Sequence, residues 1–166
     1  MVKVSHDSET PAHGQQVITA CALIHNNFNG VEKVFLAKRA DTKKFMPGIY
    51  ELLGDHVDFG EDVKVGLKRE VLEEARMNIN LGDVFHEFTY NNWVKGSHSI
   101  EVVYFAAFID PLENIKLHPD DHSGYAWITA EEVIKSMQPG RQPGDSEIQA
   151  VQRGFELLRG ESMNFG

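Results

Sequence analysis

The chain contains a single cysteine, Cys21, among its 166 residues. One thiol cannot form an internal disulfide, so a disulfide-stabilised scaffold is excluded, and so is a zinc site built from several cysteines. Cys21 lies in the apolar run of residues 17–24, which favours a buried, small hydrophobic side chain over a catalytic thiol.

Long apolar runs are also missing. No segment reaches the roughly 18 consecutive apolar residues of a membrane span. Residues 1–16 are polar and lack the apolar centre of a signal peptide. We therefore expect a cytoplasmic protein that does not associate with membranes. Its 42% hydrophobic and 25% charged residues are typical of a folded globular domain.

Basic residues are scarce. The chain has 16 Lys and Arg against 25 Asp and Glu, which gives a formal net charge of −9. This balance opposes non-specific binding to a nucleic acid polymer, because such binding requires a positive field. It is compatible with a phosphate-bearing small molecule, since a bound divalent cation reverses the local sign of the charge.

The hydrophobic pattern predicts a flexible N-terminal tail over residues 1–14 and a single domain over residues 15–160. Strands are expected at Val17–His25, Val31–Lys38, Ile49–Leu53, Val84–Val94, Ile100–Ile109 and Gly124–Ile128. Helices are expected from Asp62 to about Arg76, after a capping box formed by Thr129 and Glu132, and from Asp145 or Ser146 onward. This order of elements indicates an α/β (α+β) fold class.

The segment from Asp55 to Glu74 concentrates charge, with seven acidic and three basic residues. Glu70, Glu73 and Glu74 stand at positions i, i+3 and i+4 of the predicted helix and so share one face. Only Arg69 is placed to pair with Glu73 along that helix. Converging carboxylates with too few cations favour a hard divalent ion such as Mg²⁺. The alternative is a solvated acidic face on a purely structural domain.

The same segment resembles the Nudix box of the MutT-like Nudix hydrolases. The pattern of that box is a glycine, five residues, Glu, seven residues, Arg-Glu, an aliphatic residue, any residue, Glu-Glu, any residue, a glycine and an aliphatic residue. Glu61, followed after seven residues by Arg69-Glu70-Val71-Leu72-Glu73-Glu74, matches the charged positions in register. The order of elements agrees with the family from about Val17 to Leu158, which is most of the chain.

The resemblance implies a sandwich in which a mixed β-sheet lies between helices. It implies an enzyme that cleaves a diphosphate bond in a nucleoside di- or triphosphate, or in a nucleotide conjugate, by attack of water on phosphorus. The implied cofactor is Mg²⁺ or Mn²⁺. Glu61 is expected to pair with Arg69 and to orient the helix. The residues that the resemblance places at the metal ion are Glu70, Glu73, Glu74, Gly54 and Asp55.

Residues outside the box have two interpretations each. Arg39 either contacts a phosphate or pairs with an acid. Asp121, in the loop before the strand at 124–128, either supplies a further carboxylate to the site or is solvated. Phe45, Tyr90 and Trp93 either stack on a base or belong to the core.

The sequence departs from the box at both of its glycines. Asp55 stands at the first, and since Asp tolerates left-handed φ, it is expected to keep the loop geometry. Arg76 stands at the second and fits such a turn poorly, so the helix is expected to run on to Asn78, which suits a left-handed cap. These changes motivate a second hypothesis, a catalytically silent Nudix-fold module that binds nucleotide or regulates a partner. An exposed strand edge would be compatible with a homodimer.

Overall fold

The computed structural model describes residues 12–161, so residues 1–11 of the predicted tail lie outside the described part. The strands are β1 (Gln16–Phe28), β2 (Val31–Arg39), β3 (Tyr50–Glu51), β4 (Leu53–His56), β5 (Ile79–Asn92), β6 (Ser97–Phe108) and β7 (His122–Ile128). The helices are α1 (Val63–Ala75), α2 (Val133–Met137) and α3 (Ser146–Leu158), with 3₁₀ turns at Leu112–Asn114 and Ala130–Glu132. None of the helices between residues 12 and 161 has the length and apolar character of a membrane span.

The seven-stranded sheet is organised around β1, which pairs with three other strands. β1 runs antiparallel to β2 at its C-terminal end, antiparallel to β4 at its N-terminal half, and parallel to β6. β5 extends the sheet beyond β6, while β3 and β7 both pair with β2. One parallel pairing among antiparallel ones makes the sheet mixed, as predicted.

Helices cover both faces of the sheet. Alternation along β1 sends Ala20, Ala22 and Ile24 to one face and Cys21 and Leu23 to the other. The first face packs against α1 through Leu67, Val71 and Ala75, and the second against α2 and α3 through Met137, Val151 and Phe155. The predicted sandwich is therefore confirmed. Cys21 is only 2% exposed, as expected for a small core side chain.

The strand predicted at Ile49–Leu53 is interrupted. The backbone N–H of Leu52 donates to Glu147 Oε1 at 2.9 Å, so it takes no part in a strand ladder. The chain then re-enters the sheet as β4, which continues to His56, into the region expected to be loop. The polar segment Asp55–His56 is thereby held beside β1.

The predicted helix from Asp62 to about Arg76 is confirmed, and the alternative in which it runs on to Asn78 is wrong. The helix ends at Ala75, and Arg76 adopts the left-handed conformation, with φ +53° and ψ +34°, while its N–H bonds to Leu72 O. Asn78 is held elsewhere, because its backbone N–H donates to Asp110 Oδ2 at 2.7 Å. A glycine-like turn is thus made by an arginine, and the chain passes directly into β5.

Candidate active site

Helix α1 presents its carboxylates at the edge of the sheet. Asp62 caps its N-terminus by accepting hydrogen bonds from the N–H groups of Lys64 and Val65. The buried side chains of Leu67, Val71 and Ala75 fix the rotation of the helix against the sheet. That rotation leaves Glu70, Glu73 and Glu74 on the side toward β4 and the solvent.

The three glutamates differ in exposure. Glu70 and Glu74 are 2% and 8% exposed, whereas the side chain of Glu73 is 41% exposed. Glu74 Oε1 accepts from Gly54 N at 2.9 Å, and Glu70 Oε1 accepts from Arg69 Nη1 at 2.8 Å. Of these two buried carboxylates, Glu74 thus meets the backbone of β4, and Glu70 meets the guanidinium of Arg69.

Arg69 links the loop before α1 to the helix itself. Its Nε and Nη2 donate to the two oxygens of Glu61 at 2.8 and 2.9 Å, which is the pairing expected from the sequence. Nη1 reaches Glu70 at 2.8 Å and Glu73 at 3.4 Å, and Nη2 reaches the carbonyl of His56 at 3.3 Å. A single guanidinium therefore fixes the positions of three carboxylates relative to β4.

The buried carboxylates repel one another. Burial, together with the charge of Asp55, raises the pKa of Glu70 to about 8. Burial, together with the charges of Glu70 and Glu51, holds the pKa of Glu74 well above its ordinary value. Such a cluster gains most from a cation that neutralises it.

An all-oxygen donor set of this kind suits Mg²⁺ or Mn²⁺. Between residues 12 and 161, no three His, Cys, Asp or Glu side chains are already grouped closely enough to hold a metal ion. The residues fit the ion in chemistry and charge. Their side chains must change rotamer when the ion binds, so that the carboxylates converge on it. Glu70 and Glu73 are both engaged by Arg69 in the arrangement seen here.

At the start of the box, the residue whose backbone passes closest to β1 is Gly54 and not Asp55. Gly54 has φ +137°, and a Cβ on it would lie 2.0 Å from Ala20 O. Asp55 is not among the residues with positive φ and sits in β4 opposite Ala20. The expectation that Asp55 supplies the left-handed geometry is therefore wrong, because the position that needs glycine is one residue earlier.

Asp55 is tied to a short chain of polar groups. Its Oδ1 lies 2.5 Å from His56 Nδ1, and His56 Nε2 lies 2.8 Å from Lys95 Nζ. Burial alone would raise the pKa of Asp55, but the bond to His56 and the positive charge of Lys95 outweigh it and lower the pKa. The pKa of Asp55 is therefore shifted in the direction opposite to those of Glu70 and Glu74.

A cavity of about 370 Å³ opens beside these groups. Glu74, Asp55 and Gly54 contribute to its wall, and so does Arg39. Arg39 donates to Phe45 O at 2.9 Å and to Glu51 at 3.3 Å, while its Nη2 is buried without a hydrogen-bond partner. Arg39 thus pairs with an acid, as one interpretation had it, and also keeps a donor available to a ligand.

The loop that the sequence marks around Asp121 also contains a histidine, and its burial and contacts toward the box helix could not be predicted from the sequence. His122 is 2% exposed, and its Nε2 lies 2.9 Å from Glu51 Oε2 while its Nδ1 lies 3.6 Å from Glu74 Oε2. Burial opposes the charge of Glu51, but the charge of Arg39 and the bond to His122 lower the pKa of that carboxyl. Asp121, next to His122, lines the cavity and accepts from Lys43 Nζ at 2.9 Å.

A second missed pair closes the opposite wall. Arg141 Nη2 donates to Glu147 Oε2 at 2.8 Å and to the carbonyl of Tyr50 at 2.8 Å. Glu147 also accepts from Leu52 N, so the start of α3 is fixed to the segment between β3 and β4. The only local signal for these residues was the Pro/Gly loop before α3, which predicts the loop and not its contacts.

The three aromatic residues with two interpretations lie together at the cavity. The rings of Phe45 and Trp93 are 4.5 Å apart between centroids, and those of Phe45 and Tyr90 are 6.1 Å apart and nearly parallel. Trp93 is 67% exposed, so it is not a core residue. We call Phe45, Tyr90 and Trp93 the aromatic wall.

The family model of the NUDIX domain matches residues 15–151. The chain belongs to the Nudix family. It is a Nudix hydrolase, and its box is the segment from Asp55 to Met77.

Individual relatives share this fold at low identity. The nucleoside triphosphatase NudI of Salmonella agona is 26% identical over 126 residues, which cover 72% of this chain and 86% of that protein. The MutT protein of Methanosarcina mazei superposes with a TM-score of 0.68 at 22% identity, covering 92% of this chain and 99% of that one. An Ap4A hydrolase of C. elegans, solved as a binary complex, gives 0.69 at 21% identity, covering 87% and 98%. Such structural likeness shows the fold alone.

Proposed function

We propose that this Nudix hydrolase cleaves a diphosphate bond in a nucleoside di- or triphosphate or in a nucleotide conjugate, by attack of water on phosphorus, with Mg²⁺ or Mn²⁺ as cofactor. The observation that carries the proposal is the meeting of Glu74, Asp55 and Arg39 in the wall of one cavity, with Glu70 buried close behind them. Opposite charges at one opening suit a substrate whose phosphates are bridged by a cation.

The names of two relatives are consistent with this chemistry. One is a nucleoside triphosphatase and another an Ap4A hydrolase, and both names denote nucleotides with linked phosphates. The substrate of this chain follows from neither name. A nucleotide-type small molecule is the class of substrate we propose, and a cytoplasmic location and a homodimer stay predictions.

In this proposal the metal ligands are Glu70, Glu73, Glu74, Asp55 and the backbone carbonyl of Gly54. When bound, the ion neutralises phosphate charge and lowers the pKa of a coordinated water. Glu61 and Arg69 are positioning residues, because Glu61 fixes the guanidinium that in turn holds Glu70 and Glu73.

Substrate contacts are proposed for Arg39 and Asp121. Arg39 carries a buried donor, Nη2, that no protein acceptor satisfies, and a phosphate oxygen would satisfy it. Asp121 holds Lys43 at 2.9 Å on the cavity wall, so its role would be to keep that ammonium near the phosphates.

The test is release of phosphate or pyrophosphate from a panel of nucleoside triphosphates, nucleotide sugars and dinucleotides, with and without Mg²⁺. The protein is compared with the double variant Glu73→Gln plus Glu74→Gln. A matched control, Glu113→Gln plus Glu131→Gln, removes two exposed carboxylates away from the cavity. We expect Mg²⁺-dependent turnover in the wild type and the control, and a loss of at least about a hundredfold in the box variant.

Absence of turnover on every substrate, with nucleotide binding retained, would contradict the proposal and favour the silent binding module. That hypothesis rested on the two replaced box glycines. Gly54 makes the close contact with the backbone of β1, and Arg76 adopts the left-handed conformation at the end of α1. The backbone of the box therefore forms although Asp55 and Arg76 stand where the family pattern has glycine.

A further inference from the structure

Glu101 lies in the cavity but outside the box. It stands on β6, opposite Phe88 of β5 and beside Thr19 of β1, so its side chain shares a face of the sheet with both. Its Oε2 atom is buried and has no hydrogen-bond partner. The residue lines the cavity together with Phe88 and Tyr90.

A buried carboxyl oxygen without a donor is costly in a folded protein, which makes it a candidate for ligand contact. The two arginines in the cavity wall have other acids close by. Arg39 binds Glu51 at 3.3 Å, and Arg141 binds Glu147 at 2.8 Å. The Glu101 oxygen is therefore an acceptor without an arginine donor, in a cavity that a ligand can enter.

The aromatic wall gives the ligand an orientation. Phe88 lies 6.1 Å from Tyr90 between ring centroids, so aromatic rings continue from the aromatic wall to the residue opposite Glu101. A planar heterocycle that stacks on these rings would present its edge to Glu101. Base stacking on aromatic side chains is worth about 1–3 kcal/mol per base and tolerates any base. Discrimination between bases would then depend on the hydrogen-bonding groups along the edge of the base that faces Glu101.

We propose that Glu101 is a specificity residue that accepts a hydrogen bond from the exocyclic amine of the substrate's nucleobase. The enzyme would then prefer adenine over hypoxanthine and cytosine over uracil, pairs that differ in this amine. The inference rests on the proposed function in one respect, that the ligand is a nucleotide.

The surroundings of Glu101 add a second element to the recognition. Burial and the nearby charges of Glu147 and Asp55 raise the pKa of Glu101 well above its ordinary value. A neutral carboxyl offers a carbonyl acceptor and an O–H donor side by side. Adenine and cytosine present the complementary edge, an amine next to a ring nitrogen that accepts. Hypoxanthine and uracil present the reversed order, so the proposed preference requires the accepting oxygen of Glu101 to face the amine and its O–H to face the ring nitrogen.

The test compares kcat/KM for ATP against ITP and for CTP against UTP. In the wild type we expect a preference of roughly ten- to a hundredfold for the amine-bearing member of each pair. Glu101→Leu should bring both ratios to within about threefold of unity, because the acceptor is gone. Glu101→Gln should retain the preference, since its amide also offers an acceptor beside a donor. Glu87→Leu is the matched control, as it removes an exposed carboxylate from the neighbouring strand.

Calorimetric binding of AMP and IMP separates this inference from the proposed function. If no nucleotide is hydrolysed but AMP binds tighter than IMP, and Glu101→Leu removes the difference, the inference holds and the proposed function fails. If hydrolysis depends on Mg²⁺ but ATP and ITP react alike, the inference alone is overturned. Unchanged ratios in a folded Glu101→Leu variant overturn it as well.

Discussion

The carboxylate of Glu74 accepts a hydrogen bond from the backbone N–H of Gly54 at 2.9 Å. This bond joins the last turn of α1 to β4, at the point where β4 passes closest to β1. The other oxygen of Glu74 lies 3.6 Å from His122 Nδ1. The side chain of Glu74 is thus held between β4 and β7. The orientation of its carboxylate depends on the path of the backbone through Gly54.

Replacement of Gly54 by alanine should damage both stability and activity. The new Cβ would lie 2.0 Å from the carbonyl oxygen of Ala20, at a φ of +137° that side chains rarely adopt. We expect the free energy of unfolding to fall by about 3 kcal/mol or more, measured by urea denaturation. Gly60→Ala is the control, because its φ of +81° is also positive but its Cβ would meet nothing within 4 Å. If Gly54→Ala lowers the free energy of unfolding no more than Gly60→Ala does, the prediction fails, because β4 must then shift to accommodate the new Cβ.

Arg69→Lys should lower catalytic efficiency more than stability. Lysine keeps the charge but cannot bond Glu61 through two donors while also reaching Glu70. We expect kcat/KM to fall by about tenfold or more and the free energy of unfolding by about 1–2 kcal/mol. The comparison variant is Arg159→Lys, whose exposed pair with Glu161 should contribute almost nothing. Equal activity of the two variants would argue against a positioning role for Arg69.

The contacts that the sequence predicted are local ones. Helical spacing was enough to place Glu70, Glu73 and Glu74 on one side of α1, because these residues lie within about one turn of one another. The pairing of Arg69 with Glu61 was expected from the resemblance to the Nudix box. The predicted caps at Thr129 and Asp145 likewise depend on neighbours three residues away. Sequence periodicity contains this information directly.

The contacts that the sequence could not predict span long stretches of chain. His122 and Glu51 are separated by 71 residues, and Glu147 and Leu52 by 95. They meet only because β7 pairs beside β2 and α3 packs across the sheet, which no local pattern encodes.

The wrongly predicted left-handed position shows a different limit of the sequence. The family pattern assigns a glycine to position 55, whereas the backbone needs it at Gly54, where β4 touches β1.

The metal-free protein should lose stability as pH rises. The pKa of Glu70 is about 8 in the folded chain against an ordinary 4.5, so the folded state binds more protons between these values. The free energy of unfolding must therefore fall as pH increases from about 4.5 to about 8, and level off above. Thermal unfolding in EDTA across this range should show the decline. Glu70→Gln should make it shallower, while the raised pKa values of Glu74 and Glu101 keep part of it.

Added Mg²⁺ should reverse that decline. An ion that binds the ionised carboxylates of the folded state raises its stability by mass action, and it does so more at pH 8 than at pH 5.5, where protons compete. We expect millimolar Mg²⁺ to raise the Tm at pH 8 by several degrees in the wild type and not in Glu73→Gln plus Glu74→Gln. A Tm that does not respond to Mg²⁺ in the wild type would count against a metal site at these residues.

Arg76→Gly should stabilise the protein and leave its activity intact. Arg76 ends α1 at φ +53°, a conformation that costs an L-residue about 1 kcal/mol and costs glycine nothing. The larger freedom of glycine in the unfolded chain offsets part of the gain, so we expect a net increase of about 0.5 kcal/mol in the free energy of unfolding. The paired control is Lys68→Gly, an exposed position inside the same helix, which should lose about 1 kcal/mol. Should both glycines destabilise equally, the side chain of Arg76 must make a contribution that its backbone strain does not reveal.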